Sequence, residues 1–196
     1  MSPENPPPEY PDAPQRRNTF REGEKFAEFI RKLLNPWGIT MWHSEDKLFQ
    51  YQVGENRQGH EVKLDSRCTE TGRLSIEIAE KTRASNHAWQ PSGILRRDNS
   101  WLYIQGNYQR VFVFPKSWLV RYFLSKIEPS EIHESYGTVR KFYLPIETAM
   151  AGAALTLDGN GQRIEQELKG IRITIDASKA TPDTIEQIGR ILDDAR

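Results

Sequence analysis

Cysteine is almost missing from this chain: Cys68 stands alone among 196 residues. That excludes an internal disulfide, fits a reducing compartment and leads to the expectation of a cytoplasmic protein. No apolar run approaches the roughly 18 residues of a membrane span, so no membrane partner is expected. An excess of one charge is also lacking, because 27 Lys and Arg balance 27 Asp and Glu. Met1 to Pro8 holds neither a basic nor an apolar signal region, and no secretory signal is expected. Residues 1 to 18 lack aliphatic side chains almost entirely and contain six of the twelve prolines. Such a composition buries too little apolar surface to offset the entropy of ordering, so a disordered Pro-rich tail over 1–18 is expected ahead of a single domain over 19–196. A second histidine at ligand spacing is missing near His43, Glu45 and Asp46, so that group reads as a loop and not as a zinc site.

What the chain does contain is a sequence of well-patterned segments. Thr19 followed by Glu22 has the form of a capping box, and Phe26, Phe29, Ile30, Leu33 and Leu34 recur at helical spacing until Asn35-Pro36, which predicts a helix over about 20–34. Alternation over Leu48 to Val53 predicts a strand. Trp101–Gln105 and Arg110–Phe114 read as strands joined through Gly106-Asn107, and Pro115 opens a helix to about Ser125. From Pro129 the chain turns acidic and reads as a C-terminal extension, with a strand at Val139–Leu144, a helix from Ile146 to Leu155, a turn at Asp158–Gly161, a strand at Ile171–Ile175 and a capped helix after Thr181.

The segment from Glu61 to Lys81 carries the chemistry. Its two halves alternate with the period of half-buried strands: Val62 and Leu64 share one face, and Leu74, Ile76 and Ile78 share another. The opposite faces hold Glu61, Lys63 and Asp65 on the first strand and Ser75, Glu77 and Ala79 on the second, with Lys81 at its end. Ser66 to Gly72 is short enough to close an antiparallel hairpin, which would converge Asp65, Glu77 and a lysine on one wet face. A solvated, salt-bridged hairpin is the alternative reading of the same alternation.

Two acids on successive strands with a lysine nearby resemble the PD-(D/E)xK nuclease superfamily. The phrases Thr71-Gly72, Ile76-Glu77, Pro91-Ser92-Gly93-Ile94 and Trp101-Leu102-Tyr103 are similar to uncharacterised phage and bacterial proteins placed in it, over roughly residues 20 to 126. The resemblance implies an α+β (α/β) fold, a restriction-endonuclease-like mixed sheet flanked by helices. It also implies a metal-dependent DNA nuclease hydrolysing phosphodiester bonds, with Asp65 and Glu77 holding Mg²⁺. The superfamily's acid-x-lysine unit would fall at Glu77-Ile78-Ala79, where the lysine is missing, so Lys63 or Lys81 would serve in its stead. An extra acid on the first helix would be Glu22, Glu24 or Glu28; capping accounts for Glu22 and a solvated face for the other two.

Charge is distributed unevenly. Residues 81 to 126 carry eight Lys or Arg against Asp98 alone, a net +7, together with nine aromatic residues. A basic, aromatic segment beside carboxylates suits a DNA-binding cleft, with Arg83, Arg96 and Arg97 as the expected contacts. Phe112, Phe114, Trp118 and Phe123 follow the spacing of core residues instead. Two further readings remain at this point: a catalytically inactive nuclease-fold module binding nucleic acid or a protein partner, and a protein-binding domain whose charges only maintain solubility.

Overall fold

A computed structural model describes residues 13–41 and 57–164, all within one compact unit that ends at Glu165. The first element, α1, spans Ala13–Leu34. It starts well before the expected position, so residues 13–18 belong to a helix and not to a tail; a proline in the first turn costs no backbone hydrogen bond, and Pro14 is therefore compatible with this start. The helix runs through Thr19, and Glu22 does not cap it. Glu22 accepts a bond from Lys25 at 2.7 Å instead. Asn35–Trp37 winds into a tighter turn, and Gly38 at φ 74° closes it, a left-handed conformation that glycine adopts without strain.

Among the described residues eight strands follow: β1 (His60–Leu64), β2 (Arg73–Glu80), β3 (Gln90–Pro91), β4 (Leu102–Gly106), β5 (Arg110–Pro115), β6 (His133–Ser135), β7 (Val139–Pro145) and β8 (Leu155–Asp158). Between them stand α2 (Cys68–Thr71), α3 (Lys116–Lys126) and α4 (Ile146–Gly152). The strands form two four-stranded sheets, ordered β1-β4-β5-β8 and β3-β2-β7-β6. The first is mixed, with β1 parallel to β4 and the remaining pairs antiparallel; the second is wholly antiparallel. The fold is thus α+β, with the expected single sheet divided in two.

Alternation along β4 and β5 sorts their side chains between two cores. Leu102, Ile104, Val111 and Val113 pack with Phe26, Ile30, Leu33 and Leu34 of α1. Tyr103, Phe112 and Phe114 face the other way, onto Leu74, Ile76 and Ile78 of β2, Phe142 and Leu144 of β7, and Leu119 of α3. Each fully buried large side chain contributes about 1.5–3 kcal/mol relative to exposure, so the first sheet is held from both faces.

The hairpin expected between β1 and β2 does not form. β1 pairs with β4 and β2 pairs with β7, each in a different sheet. The link between them is not a tight turn: it coils into α2, sinks Cys68 fully into the core and leaves through Gly72 at φ 67°, which carries the chain across to the second sheet. Strands β6 and β7 complete the sheet of β2, and β8 completes the sheet of β5, so residues 133–158 are integral to the fold and not an extension. The turn after β8 is set by Asp158, whose Oδ1 accepts the backbone N–H groups of Asn160 and Gln162. Residues 42–56, with His43, Glu45, Asp46 and the strand expected at 48–53, lie outside the described residues, as do the strand and helix expected beyond 170. Among the described residues no helix is long and apolar enough to cross a membrane.

Candidate functional site

Parallel register sets Glu61 beside Tyr103 and Lys63 beside Gln105, so both charged residues of β1 lie on the side of the second sheet, Glu61 buried and Lys63 partly exposed. The Glu61 side chain is only 2% exposed. Its Oε1 lies 3.2 Å from the Lys63 Nζ, and its Oε2 lies 3.9 Å from the Nζ of Lys116, the first residue of α3. Lys116, itself 8% exposed, donates to the Arg96 carbonyl at 3.0 Å and to Asp98 Oδ1 at 2.8 Å. Arg96 approaches the same carboxylate at 3.6 Å. Burial pushes the Asp98 carboxyl up, yet the Lys116 bond, the Ser100 N–H and the Lys116 charge prevail and hold it below its ordinary value. The result is a chain of alternating charges, Lys63, Glu61, Lys116, Asp98 and Arg96, buried at its three central members and partly exposed at both ends.

At the end of β1 this chain meets β2. The Asp65 N–H continues the β1 ladder by donating to Gly106 at 2.7 Å, while Asp65 Oδ2 accepts the Ser75 N–H at 2.8 Å. Gln105 Nε2 donates to the Ser75 carbonyl at 2.8 Å. Two side chains therefore satisfy the edge of β2 where a strand would otherwise pair. Farther along β2, Gly93 lies so close that a Cβ there would come within 2.3 Å of the Glu77 carbonyl oxygen. Gln105 is 2% exposed, and its Oε1 has no hydrogen-bond partner among the described residues. A buried amide oxygen left over beside a lysine and a carboxylate is an acceptor waiting for a water, a cation or a donor group.

The expected site residues are distributed as follows. Lys63 and Asp65 meet at this junction. Glu77 sits half-buried two residues beyond Ser75, on the face of β2 opposite Leu74, Ile76 and Ile78, and stands across from Lys141. Asp65 and Glu77 thus do not share one face of a single sheet as the hairpin required. Lys81 does not join them. Its Nζ donates to the Ala84 carbonyl at 3.1 Å and lies 4.5 Å from the Trp89 ring centre, about 20 Å along the chain from Ser75 at the rise of a strand. Arg83 and Arg97 are exposed, whereas Arg96 is engaged by Asp98. On α1, Glu24 is exposed and Glu28 is bound by Arg31 at 2.7 Å, as a solvated face predicts. Sequence reasoning missed Glu61, Asp98, Gln105 and Lys116. A signal for the first was present: Glu61-Val62-Lys63 is itself an acid-x-lysine unit, one strand earlier than the position inspected for it.

Magnesium takes oxygen ligands and is often held by only one or two carboxylates, retaining waters. The oxygen donors near the junction are Asp65 Oδ1, which lies outside the Ser75 bond, and Gln105 Oε1, unpartnered among the described residues, while Glu77 lies on the face of β2 opposite the core. Among the described residues no three His, Cys, Asp or Glu side chains gather into a metal-holding group. No protein-family model matches the chain, and neither a curated protein nor a solved structure matches it significantly.

Proposed function

We propose that this chain is a metal-dependent DNA nuclease of restriction-endonuclease-like fold, with Lys63, Asp65 and Glu77 at its reacting centre. The observation that carries the reading is the Glu61–Lys63 pair at 3.2 Å, its carboxylate buried and its lysine one-third exposed, set against the unpartnered Gln105 Oε1 at the sheet junction. Removing a carboxylate from water is costly, and an ion pair of this kind adds little net stability, so its retention is better explained by chemistry. Asp65 and Glu77 offer the carboxylate oxygens that would hold Mg²⁺. The ion would neutralise charge at the scissile phosphate and acidify a bound water. Glu61 anchors the Lys63 ammonium, and that side chain, 34% exposed, stays open to solvent, where a phosphate oxygen or the attacking water would approach it. Incubating the protein with plasmid and oligonucleotide DNA in Mg²⁺ or Mn²⁺ tests the reading. Cleavage is expected, and Lys63→Ala, its folding checked by circular dichroism, should lower it by about 10²–10⁴-fold. Full activity of Lys63→Ala would remove the lysine from the mechanism.

One observation favours a second reading, an inactive nuclease-fold module that binds nucleic acid. Asp65 Oδ2 is bonded to β2, and Glu77 occupies the strand face opposite the core, so the acids are less convergent than in a tight metal cage. DNA binding without cleavage by the unmodified protein in either metal would establish this alternative over the first.

A further inference from the structure

A second concavity begins where the buried charge chain ends. It lies between the segment before β4 and the outer face of α3, encloses about 520 Å³, and has Lys116 and Asp98 among its lining residues, with Trp101, Leu124, Arg96 and Arg121 also around it. Three of these six residues are cations and one is an acid, and every lining residue comes from the stretch 81 to 126 with its net charge of +7. Trp101 is 59% exposed and Leu124 is 74% exposed. An indole left this open normally has little to hold it in one position, yet Trp101 Nε1 donates to the Gln58 carbonyl at 2.6 Å and the ring meets His60 edge-on at 5.6 Å between centres. The ring is therefore both presented and fixed. Arg121 is exposed on α3, within the same concavity.

We infer that this groove binds an unpaired nucleic-acid strand, one base stacking on Trp101 while Arg121 meets the backbone phosphates; the inference deepens the nucleic-acid reading given above. The size and chemistry select this occupant. A duplex keeps the faces of its bases stacked on one another and offers an indole no π surface, whereas a single strand presents both bases and phosphates. A concavity of about 520 Å³ is in the range of sites for small ligands and does not accommodate a double helix. Lys116 joins the groove to the proposed centre, since its Nζ contacts Asp98 on one side and lies 3.9 Å from Glu61 on the other. A strand in the groove would thus run toward the junction of the sheets.

Fluorescence anisotropy with a labelled thymidine oligonucleotide of about 12 nucleotides, and with the same strand in a blunt duplex, tests the groove in EDTA, where no cleavage occurs. The unmodified protein should bind the single strand more tightly than the duplex. Trp101→Ala should weaken single-strand binding by about 5- to 150-fold, and Trp101→Phe should restore most of it, because stacking needs only an aromatic face. Arg121→Glu, on an exposed helix surface where folding is unaffected, should weaken binding and make it less steeply dependent on salt. Single-strand affinity unchanged in both Trp101→Ala and Arg121→Glu, equal affinity for the duplex, or no binding by the unmodified protein would each overturn the inference. Cleavage assayed separately in Mg²⁺ distinguishes this result from the nuclease reading. Trp101-dependent binding without cleavage sustains the groove and removes the nuclease. Cleavage with binding indifferent to Trp101 and Arg121 does the reverse.

Discussion

Lys116 satisfies three groups from the first position of α3: the Arg96 carbonyl, Asp98 and, at longer range, Glu61. Replacing it with methionine keeps the volume but leaves two buried carboxylates short of a cation, and should cost about 3–5 kcal/mol in urea denaturation. The pH dependence of stability follows from two groups. The Asp98 carboxyl is held below its ordinary 3.8, so its contribution is complete above that value and disappears as acid reaches the lower native one. Burial, aided by the Asp65 charge, pushes the Cys68 thiol up to about 11 from 9.0, and the stability linked to it is complete below 9 and lost as pH rises toward 11. In the native state Cys68 should therefore resist iodoacetamide at neutral pH and react only on unfolding, a rate that mass spectrometry reads directly. That the lone thiol is free was legible in its isolation; its burial was not, because Ser66, Arg67, Thr69 and Glu70 flank it. Glu61 was not, because a period of two tells which residues share a face but not what covers it. Its neighbours Val62 and Leu64 face α1, and the covering of its own side comes from residues 35 to 55 positions away, at Arg96, Asp98 and Lys116.

Among the elements, β2 depends most on side chains from outside its sheet. Asp65→Ala should strand the Ser75 N–H and lose about 1–3 kcal/mol, whereas Asp65→Asn, which keeps an acceptor oxygen, should lose less; thermal melts of the two variants would separate the roles. Gly93→Ala tests the other part of the same edge. With φ at 50° and the Glu77 carbonyl 2.3 Å from the added Cβ, the backbone must move, and a loss of about 1–3 kcal/mol or more is expected in the same assay. The identity of β2, β4, β5, β7, α3 and α4 was readable from alternation, from helical spacing and from Pro115 at the start of α3. Pairing was not readable. A link of seven residues permits a hairpin, and only the burial of Cys68 and the Asn107 side chain bonded to Thr69 at 2.9 Å reveal that it instead packs as part of the core. The start of α1 was misplaced because proline counts as a breaker everywhere except in the first turn of a helix.

Over the whole chain, the balanced net charge conceals a basic middle, and it is this segment that lines the groove beside Trp101. The order of strands has a different consequence. Neither sheet is made from a continuous stretch: β1, β4, β5 and β8 alternate in the sequence with β2, β3, β6 and β7. A chain ending after Lys126 would have β5 without β8 and β2 without β7, two open edges at once, and should lack the dispersed amide spectrum of a folded protein. During synthesis the β2 edge stays open until residue 145 has emerged and the β5 edge until residue 158, so the two layers are completed in close succession. Folding should accordingly be slow for the chain's size and reach completion in one step, since long-range pairing must precede its own reward. Amide exchange protection rising in both sheets with a single rate would be the kinetic signature of that interleaving.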